Sequence, residues 1–543
     1  MRTLKKNTTA LPRCVAGFVA ALSVIATPAH AAVPGITGPT FALDAKAAYI
    51  SQPDGSSVYS WGYGCAKAPT GTLPASMAVI CPDMQLPGPT LIVTEGDAVS
   101  VTLTNALPTQ AGNTSIIFSG FDVTPVAVAA ADQAPGCPAA PPVGLLTTEA
   151  APGCAVTYTF TATTVGTHGY HSGTQSDLQV EMGLYGAIIV LPKTIPSNCI
   201  APVGADGVPT AGNDAARAHH GELDFRLAKA AYNHSAACYD REYLFQLSEM
   251  DPKIHQQAEA IANCGANGGA NCPANMNSVE TEPYHPAYFM VNGRSMPDDM
   301  DPSFAPQYPH QPYNGNPHMH PGEITLVREI GQGRWQHPLH EHGNHLRLLA
   351  RDGNLLLAPA PSSGEAALAG PLLFTTTSTP GQALDALFYW TGKGLNWDVF
   401  GHGYAGDTGT QCIPDANGYY TSDPSAPNYF EWCADHNKPL ESHPFGSVGS
   451  GGPVTLPDPN IFANGAWYGG SPYLGGEATT RAVGGTPIPP SGTVGNSPTD
   501  EAGFAYMWHS HNEREITTAN IFPGGMMMMM LVDPRAYVID ETK

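Results

Sequence analysis

Basic residues are scarce in this sequence, with 23 Lys and Arg against 46 Asp and Glu among 543 residues. A surface so acidic excludes nucleic acid and anionic lipid as natural partners, and it favours the approach of metal cations. Charge of either sign is also sparse, at 13% of residues, while 59 Gly and 52 Pro punctuate the chain. That composition disfavours a helical bundle and suits a loop-rich β protein. No apolar run reaches the roughly 20 residues needed to span a bilayer, so no membrane insertion is expected. A Gly-rich loop opening a helix and a GxSxG elbow are both missing, which leaves nucleotide and hydrolase chemistry without support.

What is present begins with a leader. Arg2, Lys5, Lys6 and Arg13 precede an apolar stretch from Cys14 to Pro28, and "AHA" ends at Ala31. This is the layout of a cleaved secretory signal peptide over residues 1–31, and it predicts a periplasmic or secreted protein. Without it, 19 basic residues face 46 acidic ones, a net charge of −27. Ten cysteines then remain, an even number that suits disulfides in an oxidising compartment. Neighbour pairing (Cys65–Cys81, Cys137–Cys154, Cys199–Cys238, Cys264–Cys272, Cys412–Cys433) is the simplest of the connectivities open to them.

Strand patterns dominate the rest. "TLIVTEGDAVSVTLTNAL" sets Val99, Val101 and Leu103 on one face and Ser100, Thr102 and Thr104 on the other, and "AVTYTFTATT" repeats the alternation. Period-two runs between Gly and Pro turns, with no helical stretch among them, predict antiparallel sandwiches. The alternation lapses over 196–222 and resumes with "REYLFQLSEMD", "EITLVREIGQ" and "ALDALFYWTG". Two domains are therefore expected, 32–195 and 223–543, joined by a linker at 196–222. The second carries a Gly/Pro-rich insertion at about 402–500. A connection that long is more often functional or packed than floppy.

Histidine is concentrated. "HPLHEHGNH" places four of the chain's 20 histidines in residues 337–345, and "MWHSHNE" adds His509 and His511. Residues i and i+2 of a strand face the same way, so His340 with His342, and His509 with His511, can converge on one ion. Imidazole is a common ligand for copper and zinc, and clusters of it suit copper. His318 and His320, flanking Met319, and the run Met526 to Met530 are further soft groups. Both read as packing, the methionines as fillers of a last strand.

Four segments taken in order, "MQLPGPTLIVTEGDAVSVTLTNALP", "GTHGYHSGTQSDLQVEMGLYGAIIVLP", "HPLHEHGNHLRLLARDG" and "MWHSHNEREITTANIFPGGMM", resemble the landmark segments of multicopper oxidases. These are laccase-like enzymes built of cupredoxin domains. The resemblance implies an all-β fold of two cupredoxin-like Greek-key sandwiches, with copper as cofactor. It also implies losses. Ile117 and Ser119 stand where the family's first motif has histidines, and Gly173 replaces the partner of His171. The third motif is intact as His337, His340 and His342, whereas Ser510 replaces the cysteine of the fourth and Glu515 its later histidine.

A serine hydroxyl cannot stand in for the soft thiolate of a type 1 (blue) copper. His337 is left as the one retained ligand of that centre. His171, His340, His342, His509 and His511 remain for a remodelled one- or two-copper site, with His168, His345, Glu341 and Glu513 nearby but expected not to ligate. The implied function is an exported copper-binding oxidoreductase acting on a small reductant or a metal ion. Copper buffering without turnover, or a structural scaffold, are the alternatives. A homo-oligomer is compatible with the sequence.

Overall fold

The computed structural model describes residues 33–75, 80–200, 221–268, 271–392, 413–422, 432, 434, 470–473, 503–533 and 538–539. The leader, most of the linker and most of the 402–500 insertion lie outside these residues, as do Cys412 and Cys433, and no described helix is long and apolar enough to cross a membrane.

Four sheets pack as two β-sandwiches. In the first, a six-stranded sheet runs Thr72–Leu73, Gly35–Thr37, Leu91–Thr94, Tyr185–Leu191, Gly166–His171, Ile117–Phe118. Its companion of five strands runs Ser57–Cys65, Thr40–Ser51, Ala98–Asn105, Ala155–Thr161, Thr124–Ala127. The alternation in Ala98–Asn105 does what the sequence predicts: Val99, Val101 and Leu103 are buried and the residues between them are partly open. They join Trp61, Tyr158, Phe118 and Tyr170 in one apolar core.

The second sandwich pairs a seven-stranded sheet, centred on Arg241–Met250, Ile324–Gly331 and Ala383–Tyr389, with a six-stranded one. The latter runs His318–Met319, Met527–Val532, Gly503–Ser510, His337–Glu341, Thr375–Ser378, and Gly470–Tyr473 pairs with Gly503–Ser510. Its core holds Trp508, Phe245, Met526, Met528 and Met530, so the methionine run is packing.

Two expectations need correction. Each sheet includes a parallel pair: Gly35–Thr37 with Leu91–Thr94, Thr40–Ser51 with Ala98–Asn105, Arg241–Met250 with Ile324–Gly331, and His318–Met319 with Met527–Val532. Side-chain alternation reports which face is buried and carries nothing about strand direction, so purely antiparallel sheets were not implied by it. A helix also exists, at Pro252–Ala266. Asp251 caps it by accepting from the Lys253 N–H at 2.9 Å, and Pro252 occupies its first turn. Ile254, Ala258, Ile261 and Ala262 bury one stripe in the core of the first sandwich. The stripe has helical spacing, but Lys, Gln and Asn between its members dilute the signal.

Four of the five neighbouring cysteine pairs are closed as disulfides, Cys65–Cys81, Cys137–Cys154, Cys199–Cys238 and Cys264–Cys272.

Candidate metal centre

Strand parity divides the third motif. His340 pairs directly with His509, while Leu339 faces Ser510 and Glu341 faces Trp508. Even positions 340 and 342 therefore share a face with 509 and 511, and odd positions 337, 339 and 341 turn into the core with Ser510.

On the even face four imidazoles gather. Ring centroids are 5.0 Å apart for His340–His342, 5.4 Å for His340–His509, 4.7 Å for His340–His511 and 5.2 Å for His342–His509. Ring nitrogens of His340, His342 and His509 all lie within 4.8 Å of one another, and the two Nε2 atoms of His342 and His509 approach to 3.3 Å. His509 donates from Nδ1 to its neighbour's carbonyl, Ser510 O, at 2.7 Å. That bond fixes the tautomer and leaves the Nε2 lone pair for a ligand role. His340 Nδ1 pairs with Thr375 Oγ1 at 2.6 Å, which likewise turns its Nε2 toward the group.

Burial, and then the neighbouring imidazoles, push the pKa of His340 down to about 3, and burial lowers that of His509. These two are neutral near pH 7, the form that binds a metal. The donor set of clustered neutral imidazoles beside no thiolate suits a copper or zinc ion.

The other predicted ligands, His171 and His337, are not among the three whose ring nitrogens all lie within 4.8 Å of one another. His171 ends strand Gly166–His171, donates from Nδ1 to Ser172 O at 3.0 Å, and makes no ring contact with the four among the described residues. A side chain at Gly173 would meet Ile117 Cδ1 at 2.6 Å, so the two replacements in this half of the site fill each other's space.

His337 stands apart and offers a metal neither nitrogen. Nε2 bonds Glu249 Oε2 at 2.8 Å and Nδ1 bonds Glu515 Oε2 at 3.0 Å, with all three side chains fully buried. Burial opposes its protonation, but the two carboxylates win and raise its pKa to about 9. Ser510 Oγ donates to the same Glu515 oxygen at 2.5 Å.

The weighed neighbours do not join the group. Glu341 is buried on the core face, where Thr376 Oγ1 lies 3.1 Å away, and burial holds its carboxyl well above the usual range. His345 packs on Phe374, His168 Nε2 donates to Thr164 O, and Glu513 is exposed. A second group, Glu222, His320 and Glu323, also has ligand atoms within 4.8 Å of one another. Its carboxylates already pair with Arg241, and His320 bonds Glu222 through Nε2 and Asp533 O through Nδ1. His318 bonds Asp533 at 2.8 Å, so this loop is packed as expected. Glu249 and Thr375 carried no signal in the sequence, since neither sits in a recognisable motif. His219, His220 and His402 lie outside the described residues.

Residues 67–195 match the family model for multicopper oxidases. That stretch is similar to a multicopper oxidase domain. Laccase abr2 of Aspergillus fumigatus is 35% identical over 111 residues, which are 20% of this chain and 16% of that laccase. Among solved structures, the multicopper oxidase mgLAC is 15% identical with a TM-score of 0.41, covering 92% of this chain and 87% of its own. A blue copper oxidase from Nitrosomonas europaea is 14% identical with a TM-score of 0.40, covering 90% and 85%. The matched residues include Ile117, Ser119, His171 and Gly173, whereas the four gathered histidines lie in the second sandwich, beyond the match.

Proposed function

We propose that this chain is an exported copper-binding oxidoreductase whose copper sits on His340, His342, His509 and His511, with no type 1 copper. The observation that carries it is the convergence of three of these imidazoles, their ring nitrogens within 4.8 Å, on one sheet face. Copper there would supply one-electron redox chemistry to a small reductant or a metal ion. The protein's part is to hold neutral imidazoles with their Nδ1 atoms tied back, at Thr375 for His340 and at Ser510 O for His509. The four disulfides support export, as does the leader sequence. The division into domains at 32–195 and 223–543 accords with each pair of sheets drawing on one of these ranges.

A specific observation favours a second reading, copper binding without turnover. Where the resemblance places a blue copper, His337, Ser510 and Glu515 bond one another instead. Copper titration followed by absorption and spin resonance tests both. Bound copper without an intense band near ~600 nm is expected, because that band is a thiolate property. His340→Ala with His342→Ala should abolish binding and leave the far-UV spectrum intact. Tight copper binding by that double variant would refute the site. Oxygen uptake with a phenolic or metal-ion reductant then separates oxidase from buffer.

A further inference from the structure

Glu249, His337 and Glu515 form a buried chain of charge under the histidine face. A neutral imidazole has one N–H, yet His337 meets a carboxylate from each nitrogen, so both bonds require the imidazolium form. The two carboxylates fasten different parts of the site. Glu249 Oε1 accepts from the Arg334 and Trp335 N–H groups at 2.6 and 3.0 Å, the backbone leading into strand His337–Glu341. Glu515 Oε1 accepts from Asn512 Nδ2 at 2.8 Å, and its Oε2 accepts from Ser510 Oγ, which lies between His509 and His511.

His511 is exposed and lies one residue past strand Gly503–Ser510, where the pairing with strand His337–Glu341 ends and the turn begins. Its own N–H bonds Pro338 O at 2.8 Å, and the turn that follows it closes with the Glu515 N–H on Asn512 O at 2.8 Å.

We propose that Glu515, held by His337, is a positioning residue for the copper site: it sets the Ser510–Glu515 turn and thereby the aim of His509 and His511. The proposal rests on the copper reading above. It gives the two residues that replace cysteine and histidine a joint role, since serine supplies the donor and glutamate the acceptor of one bond.

The test compares wild type with Ser510→Ala, Glu515→Gln and their double variant, using copper(II) competition against a chelator at pH 7 and the nitrogen coupling in the spin-resonance spectrum. Glu242→Gln serves as the control, because it breaks a buried pair with Arg328 away from the histidines. Either single change should weaken copper binding at least tenfold and reduce the number of coupled nitrogens. The double variant should be no worse than Glu515→Gln, as expected for two residues acting through one bond. The control should lower the melting temperature and leave affinity and spectrum unchanged.

Absence of copper binding by wild type would overturn the functional reading itself. Wild-type binding with an unchanged spectrum and affinity in Ser510→Ala and Glu515→Gln would overturn the positioning role alone. An equal loss in Glu242→Gln would also overturn it, by showing general destabilisation. If Glu515→Gln fails to fold, Ser510→Ala, which removes a single hydroxyl, decides the matter.

Discussion

At the scale of single residues, the site is governed by which side of a strand each histidine takes. The spacing of His340, His342, His509 and His511 made their shared face legible in the sequence, and the same parity sends His337 inward. What could not be read was Glu249, 88 residues from His337 in sequence and in no motif. Burial without a partner would have left His337 neutral, and only the fold supplies the two carboxylates that reverse this.

The reversal has a pH signature. The folded-state pKa of His337 is raised from 6.5 to about 9, so its contribution is fully present below pH 6.5 and is lost as pH rises through about 9. The shift corresponds to something on the order of 3 kcal/mol. Glu181 and Glu329, buried acids raised to about 8 and about 7, lose native-state stability in the same direction. Denaturant midpoints measured between pH 6 and pH 10 should fall across that window (~6–10 brackets the titrating imidazole). In His337→Gln the fall should be shallower, and an unchanged slope would show that the triad does not titrate there.

Among elements, the helix Pro252–Ala266 shows how a cap can matter more than a propensity. Asp251 accepts from the Lys253 N–H at the helix start and from the His285 N–H at 2.7 Å through its other oxygen. Asp251→Ala should therefore cost about 0.5–2 kcal/mol in equilibrium unfolding, the range for a lost N-cap. Asp251→Asn should recover part of it, and equal losses for the two would assign the effect to something other than capping. The strands themselves were largely legible, because Val99, Val101 and Leu103 alternate with threonine and serine in a single window. The helix was obscured by the polar residues around Ile254, Ala258, Ile261 and Ala262. The parallel pairings were beyond reach, since direction depends on partners far away in sequence.

For the whole molecule, the two sandwiches meet at a polar seam. Arg328 bonds Glu242 Oε2 through Nη2 at 2.8 Å and Thr167 Oγ1 through Nη1 at 3.1 Å, while Asp385 accepts from Thr167 Oγ1 at 2.6 Å and from Tyr232 OH at 2.5 Å. All of this is buried, so Arg328→Ala strands Glu242 and Asp385 and should cost about 3–5 kcal/mol of unfolding free energy. The loss should be visible in both sandwiches at once, through hydrogen exchange in Gly166–His171 as well as in Ile324–Gly331. Protection lost only in the second sandwich would mean that the seam does not couple them. The helix Pro252–Ala266 adds a second tie, because it leaves the second sheet pair to pack on the core of the first.

Strand Gly503–Ser510 shares one edge between two partners: Gly470–Tyr473 covers Gly503 to Tyr506, and His337–Glu341 covers Trp508 to Ser510. A shortened protein lacking residues 402–500 would keep every histidine of the site and still bare half of that edge. Open backbone donors and acceptors on a strand are a template for another chain, so trimming these residues for convenience would leave a sticky border, and self-association would follow from the deletion before any change at the histidines.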